Sequence, residues 1–249
     1  MRNGKKDCNN KKTTRKVKTK VSDENHEYNC DINIQFSPRT NNQKILLQKI
    51  DEYDVVISVG PAGTGKTFVA VYKALELLSK KKINKIILTR PIVESWENLG
   101  FLPGDIRDKV DPYFRPIYDS LTKLIPRGTI QYMLNSGIIE IAPLAYMRGR
   151  TLENCFIILD EAQNTLPQQM KMFLTRMGKY SKIVITGDIT QIDLYKDKSG
   201  LLDLIKKVRD DDYITVFNFD NEDIQRHPIV AKIIDSYNRE ENNVKNCII

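Results

Sequence analysis

An α/β fold, with a parallel sheet covered by helices on both faces, is what this sequence predicts, on three observations. Short apolar, β-branched runs recur along the chain, and segments whose apolar residues follow a helical period separate several of them. The first run ends in a glycine-rich turn that feeds straight into a helical stretch. Strands that are apolar throughout, rather than alternating with polar residues, are buried on both faces, which is the pattern of a parallel sheet.

Residues 1–40 are rich in Lys, Asn and Thr and almost empty of apolar side chains. Such a stretch cannot bury enough surface to offset chain entropy, so a disordered basic arm is expected there. From Asn42 the pattern changes, and Ile45, Leu46, Lys49 and Ile50 suggest a short helix. Val55-Val56-Ile57-Ser58-Val59, ending at glycine, reads as a buried strand. Residues 68–79 follow with Val69, Val71, Tyr72, Leu75 and Leu78 on a helical period. Further strands are expected at 85–89, 138–141, 155–159, 182–185 and 213–217, and helices at 168–177, 200–208 and 229–238. The organisation expected is an arm over 1–40, one domain over 41–239 and a short tail over 240–249.

Of the 249 residues, 39 are Lys or Arg and 32 are Asp or Glu. Nine of the basic groups and one acid lie in residues 1–20, leaving 30 bases against 31 acids elsewhere, so the basicity belongs to the arm. No apolar run approaches a membrane span, and the basic N-terminus lacks the apolar stretch of a signal peptide. Cys8, Cys30, Cys155 and Cys247 are far apart with no CxxC, which argues against a disulfide framework and for a reducing, cytoplasmic setting. His26 with Cys8 and Cys30 makes a weak case for zinc, and Cys247 stands one residue away from the place a prenylation box requires.

The segment Gly60-Pro61-Ala62-Gly63-Thr64-Gly65-Lys66-Thr67, followed by Phe68, fits the GxxxxGK[ST] phosphate-binding loop between a buried strand and a helix. Its glycines let the backbone amides curl inward around phosphate oxygens, and a helix N-terminus favours anions. Lys66 is placed to neutralise the β- and γ-phosphates of a nucleotide, and the Thr67 hydroxyl to ligate Mg²⁺. Phe156-Ile157-Ile158-Leu159-Asp160-Glu161 is an apolar strand ending in two acids. Carboxylates at the edge of a core are costly without an occupation, and the occupation expected is Asp160 on Mg²⁺ and Glu161 as general base for an attacking water. Ordering water means hydrolysis, which ranks a phosphotransferase far behind. After the strand at 182–185, Thr186-Gly187-Asp188-Ile189-Thr190-Gln191 places Gln191 where a sensor of the γ-phosphate or its water would stand.

With GPAGTGKT, LDEAQ and TGDITQ in this order, the chain resembles the PhoH family of ATPases, P-loop NTPases whose core is similar to the first RecA-like lobe of superfamily one helicases. Thr89-Arg90-Pro91, Leu99-Gly100-Phe101-Leu102-Pro103-Gly104, Tyr146-Met147-Arg148-Gly149-Arg150-Thr151 and Arg226-His227-Pro228 add to the likeness. The resemblance implies that the 182–185 strand lies between the two motif strands, that Gln43 reads adenine and that Arg90 touches phosphate at the rim of the lobe. Two departures matter. Ser95 and Trp96 stand where the family usually has a small Ala-Gly pair, and for Trp96 a core place and a base-stacking place stay open. The N-terminal nuclease domain of some members does not fit in forty residues, so no ribonuclease site is expected.

A single lobe of this kind lacks the arginine that a second lobe supplies in helicases. A head-to-tail homo-oligomeric ring, a hexamer by analogy, would supply it in trans, and Arg148, Arg150 and Arg226 are the candidates. A solvated surface pair is the competing reading of Arg148 and Arg150. Single-stranded RNA, or DNA, is the expected partner, carried mostly by the resemblance and helped by the basic arm, for which a solubilising role stays equally open. The expected function is therefore Mg²⁺-dependent ATP hydrolysis coupled to remodelling of single-stranded RNA. The alternative is a nucleotide-dependent interaction module that docks onto a nuclease or ribosomal partner with little motor activity.

Overall fold

The computed structural model describes residues 34–92, 106–193, 198–208, 212–225 and 229, without the side chains of 106–111. The elements are α1 (Asn41–Glu52), β1 (Val55–Val59), α2 (Lys66–Ser79), β2 (Lys85–Arg90), α3 (Ile106–Leu124), α4 (Arg127–Asn135), β3 (Ile139–Pro143), β4 (Cys155–Leu159), α5 (Pro167–Leu174), β5 (Lys182–Gly187), α6 (Gly200–Lys207) and β6 (Ile214–Asn218). The six strands form one sheet in the order β3-β2-β4-β5-β1-β6, with every pairing parallel. The expected α/β class holds, and β5 lies between β1 and β4 as the resemblance implies.

Parallel pairing explains the composition of the strands. All five residues of β1 and all five of β4 are buried, as central strands covered on both faces must be. Ile57, Ile87, Ile157 and Ile185 of the sheet and Phe173 of α5 are sealed in one apolar cluster that α5 and α6 cover, each worth about 1.5–3 kcal/mol of burial. On the other face Val69, Ala70, Ala74 and Leu75 of α2 are fully buried. Thr40 caps α1 by accepting from the Gln43 amide at 3.2 Å. A buried thiol, Cys155, hydrogen-bonds to the Glu153 carbonyl, and burial pushes its pKa up, which keeps it inert.

Two helices fall where the sequence pattern places none, α3 and α4. Pro112 and Pro116 sit inside α3, residues that ordinarily end a helix because each lacks an amide donor and crowds the preceding turn. Phe114, Ile117 and Leu121 are nevertheless buried along α3, so tertiary packing outweighs that cost. Phe36, inside the stretch expected to be disordered, packs its ring 5.4 Å from Phe68 and 4.8 Å from Tyr72, centroid to centroid, because an aromatic ring recovers apolar contact that the surrounding polar residues do not. Among the described residues no helix is long and apolar enough to cross a membrane. Cys8, His26, Cys30, Trp96, residues 99–104, Arg226, His227 and residues 230–249 lie outside the described residues.

Candidate nucleotide site

β1 delivers the chain to the phosphate-binding loop at the C-terminal edge of the sheet. Gly60, Gly63 and Gly65 have φ of +150°, +87° and +84°, and a Cβ at Gly60 would stand 2.6 Å from the Phe219 Cβ and 2.8 Å from its carbonyl oxygen. Glycine is therefore required there both by conformation and by the close approach of the chain after β6. The Gly60 amide donates to the Gly187 carbonyl and the Gln225 amide to that of Gly63, which fastens the loop to its neighbours. Gly65 is the N-cap of α2 and provides no side-chain cap. The positive end of a 14-residue helix is thus aimed at the cleft.

Lys66 is 8% exposed and its ammonium spans the loop, donating to the carbonyls of Gly60 at 2.6 Å and Pro61 at 2.7 Å. Gln43 is 4% exposed, and both ends of its amide are engaged, Nε2 on the Thr64 carbonyl at 3.0 Å and Oε1 accepting from the Arg39 amide at 2.9 Å. In this state Gln43 braces the loop that it adjoins. The loop, Lys66, Thr67, Phe68, Asp160, Glu161, Gly187, Asp188 and Gln191 line one cleft of about 330 Å³, with Pro116 and Ser120 of α3 as a further wall.

Across the cleft, the Thr67 hydroxyl donates to Asp160 Oδ1 at 2.7 Å, and Thr186 from β5 donates to the same oxygen at 2.7 Å. Parallel register brings Thr186 beside Asp160, since Leu159 pairs with Ile185 one position earlier, and the Asp160 amide continues the ladder on the other side onto the Thr89 carbonyl. Asp188 Oδ2 is buried without a hydrogen-bond partner, and such an orphan costs free energy unless something else occupies it. A hydroxyl and carboxylate oxygens, all hard donors, fit Mg²⁺, which takes one or two carboxylates and completes its shell with water and phosphate. The described residues hold no cluster of three or more His, Cys, Asp or Glu that would enclose a metal in protein ligands.

Glu161 has φ +53° and ψ +40°, a left-handed conformation that strains a non-glycine residue. Its carboxylate is fixed from two sides, by Arg90 Nη2 at 3.2 Å from Oε1 and by Gln163 Nε2 at 2.5 Å from Oε2. Burial first, and the Asp160 charge second, push the Glu161 carboxyl above its usual range, against the pull of Arg90. Gln163 also donates to the Gln191 carbonyl at 3.2 Å and accepts from the Asp188 amide at 3.1 Å, so one buried amide joins the acid at the end of β4 to the loop after β5. Neither tie was visible in the sequence as a specific contact. Arg90 and Gln163 belong to the TRP and DEAQ segments, but strand register sets the partner of Arg90, and the return of the chain after β5 sets the distant partners of Gln163.

The arginine candidates are placed differently. Arg148 is exposed. Arg150 forms a two-pronged pair with Glu140 at 2.6 and 2.8 Å, and Lys85 reaches the same carboxylate at 2.7 Å. Lys85 begins β2 and Glu140 is the second residue of β3, so this cluster lies at the end of the sheet opposite the phosphate-binding loop, on its β3 edge.

Among curated proteins, a PhoH-like protein of Bacillus subtilis (strain 168) is 53% identical over 203 residues, covering 81% of this chain and 64% of the relative. The PhoH-like protein of Mycobacterium tuberculosis (strain ATCC 25618 / H37Rv) is 51% identical, covering 82% and 58%, and Protein PhoH of Escherichia coli (strain K12) is 44% identical, covering 77% and 55%. The chain thus spans about three-fifths of the length of these relatives. Among solved structures, the Sulfolobus solfataricus SWI2/SNF2 ATPase core in complex with dsDNA is 14% identical with a TM-score of 0.43, covering 76% of this chain and 46% of that one. The Pif1 helicase from Candida albicans is 12% identical with a TM-score of 0.34, covering 74% and 40%. The family described as PhoH-like protein matches residues 35–238, and the chain belongs to the PhoH family.

Proposed function

We propose that this chain is a Mg²⁺-dependent ATP hydrolase whose turnover is coupled to single-stranded RNA. The observation that carries the reading is the 2.7 Å contact of Thr67 with Asp160 in a cleft that Lys66, Glu161 and Gln191 also line. Those are the groups that phosphoryl transfer to water requires, in one place.

In the proposed reaction the loop amides and the N-terminus of α2 hold the phosphate chain, and Lys66 turns from the loop carbonyls to the β- and γ-phosphates. Thr67 and Asp160 would hold Mg²⁺, which neutralises charge on the β- and γ-oxygens when bound. Glu161 orients a water and takes its proton as the water oxygen bonds to the γ-phosphorus and the bridge to the β-phosphate breaks, leaving ADP and inorganic phosphate. Gln191 stands beside that water. Phe68, which lines the cleft, and Gln43, whose amide braces the loop, are assigned to nucleotide binding.

Stabilising the transition-state charge calls for an arginine that reaches the γ-phosphate. We assign that role to a second copy of the chain in a head-to-tail ring, with Arg148, exposed and near the sheet edge, as the arginine offered in trans, and Arg226 as the other candidate. The basic arm supports an RNA partner through phosphate contacts. The alternative, a nucleotide-dependent docking module, is supported by the Arg90 pair, which occupies Glu161 in this state.

The test is the ATP hydrolysis rate with and without single-stranded RNA at low and moderate salt, beside nucleotide binding by Lys66→Ala. Strong, salt-sensitive stimulation and a Lys66→Ala variant that no longer binds ATP are expected. A slow rate indifferent to RNA would favour the docking module, and unchanged ATP affinity in Lys66→Ala would remove the nucleotide site itself.

A further inference from the structure

The hydrolysis reading leaves one interaction unused. Arg90, the last residue of β2, directs one guanidinium nitrogen to Glu161 Oε1 at 3.2 Å and the other to the Tyr113 carbonyl of α3 at 2.9 Å. The pair is sheltered, with side chains 19% and 31% exposed, so water competes weakly for either partner. Gln163 holds the second carboxylate oxygen. One oxygen of the acid assigned to take a proton from water is therefore ion-paired and the other hydrogen-bonded, and the acid itself stands on strained backbone. A guanidinium anchored on α3 fixes the direction in which the carboxylate points. A carboxylate held in this way cannot swing toward the cleft until the contact opens.

We propose that Arg90 is a restraining residue for hydrolysis, which holds the Glu161 carboxylate against the α3 wall of the cleft, so that release of the Arg90–Glu161 pair sets the basal rate. The inference rests on Glu161 being the general base. Arg90 acts through Glu161 and is not among the residues that line the cleft, so it is a positioning residue. The planar fork matters to the design, because it binds Glu161 and Tyr113 at once, which a lysine ammonium at the same place cannot reproduce. The wall and the acid are thereby joined: movement of α3 relative to β2 would loosen the pair.

The experiment measures kcat and KM for ATP, without nucleic acid, for wild type, Arg90→Ala, Arg90→Lys, Glu161→Gln and the Arg90→Ala/Glu161→Gln double variant, with thermal unfolding of each. Expected are a rise in kcat of about fivefold to tenfold in Arg90→Ala, since a charge-assisted contact of this kind is worth about that factor, a KM within about twofold of wild type, and an intermediate kcat in Arg90→Lys. The double variant should be as inactive as Glu161→Gln, which routes the gain through that acid. A kcat that falls or stays unchanged in a folded Arg90→Ala overturns the restraint while leaving the base assignment intact. A double variant as active as Arg90→Ala would instead overturn the base assignment. If Arg90→Ala does not fold, Arg90→Lys carries the same test, and a kcat at or below wild type in it overturns the proposal.

Discussion

Replacing Glu140 by Gln removes the anion shared by Arg150 and Lys85 and leaves two cations facing an amide. The contacts are short, 2.6 and 2.8 Å to the guanidinium and 2.7 Å to the ammonium. The Arg150 guanidinium, above all, holds the Glu140 carboxyl down at about 2 from an ordinary 4.5. At about 1.4 kcal/mol per pH unit that depression sets a ceiling of about 3 kcal/mol. The side chain is 25% exposed, and solvent screening brings the expected loss in Glu140→Gln to about 1–2 kcal/mol. Because the folded-state value lies below the unfolded one, this stability is fully present above about pH 4.5 and is lost as pH falls toward about 2. Urea unfolding of wild type and variant at pH 7 and again near pH 3 measures it. The gap between their free energies should shrink to under about half between the two conditions. ATP hydrolysis should be unaffected, since the cluster lies at the opposite end of the sheet from the cleft. An equal gap at both pH values, or none at neutral pH, would refute the electrostatic reasoning; a loss of hydrolysis with stability intact would point to Arg150 acting on a neighbouring subunit.

Two further substitutions probe the frame of the site. Gly60→Ala puts a Cβ 2.6 Å from that of Phe219 at a φ of +150°; a loss of several-fold or more in ATP affinity is expected, with about 2 kcal/mol or more of destabilisation by chemical unfolding, and a variant of wild-type stability and affinity would show that the loop accommodates a side chain. Phe36→Ala should cost about 1–2 kcal/mol through the lost contacts with Phe68 and Tyr72, and an unchanged unfolding midpoint would return residues 34–40 to the arm.

How much of this was legible in the chain depends on how local each feature is. The phosphate-binding loop and the Asp160-Glu161 pair are short segments whose chemistry needs neighbouring residues in fixed order, so the sequence displays them whole. The strands β1 and β4 are equally plain, because burial on both faces forces a continuous apolar run. Sheet order follows from no such pattern; only the resemblance supplied it. Helix α3 escaped notice because Pro112 and Pro116 break the local rule that its buried Phe114, Ile117 and Leu121 override. The Arg90–Glu161 pair was hidden for another reason: its members end strands that are adjacent in space and distant in sequence, and only the register of β2 against β4 joins them. Arg150 illustrates the converse, a polar-loop arginine whose partner, Glu140, sits at a strand start that carries no motif.

The most direct test of the hydrolase assignment is a single-turnover measurement with Glu161→Gln in excess over Mg²⁺-ATP, run beside an equilibrium binding titration with the same nucleotide. Retained ATP affinity, within a few-fold of wild type, with hydrolysis slowed by about a hundredfold or more is the predicted result. Hydrolysis at the wild-type rate in that variant would contradict the central claim, because the cleft would then be activating water without the carboxylate assigned to do so.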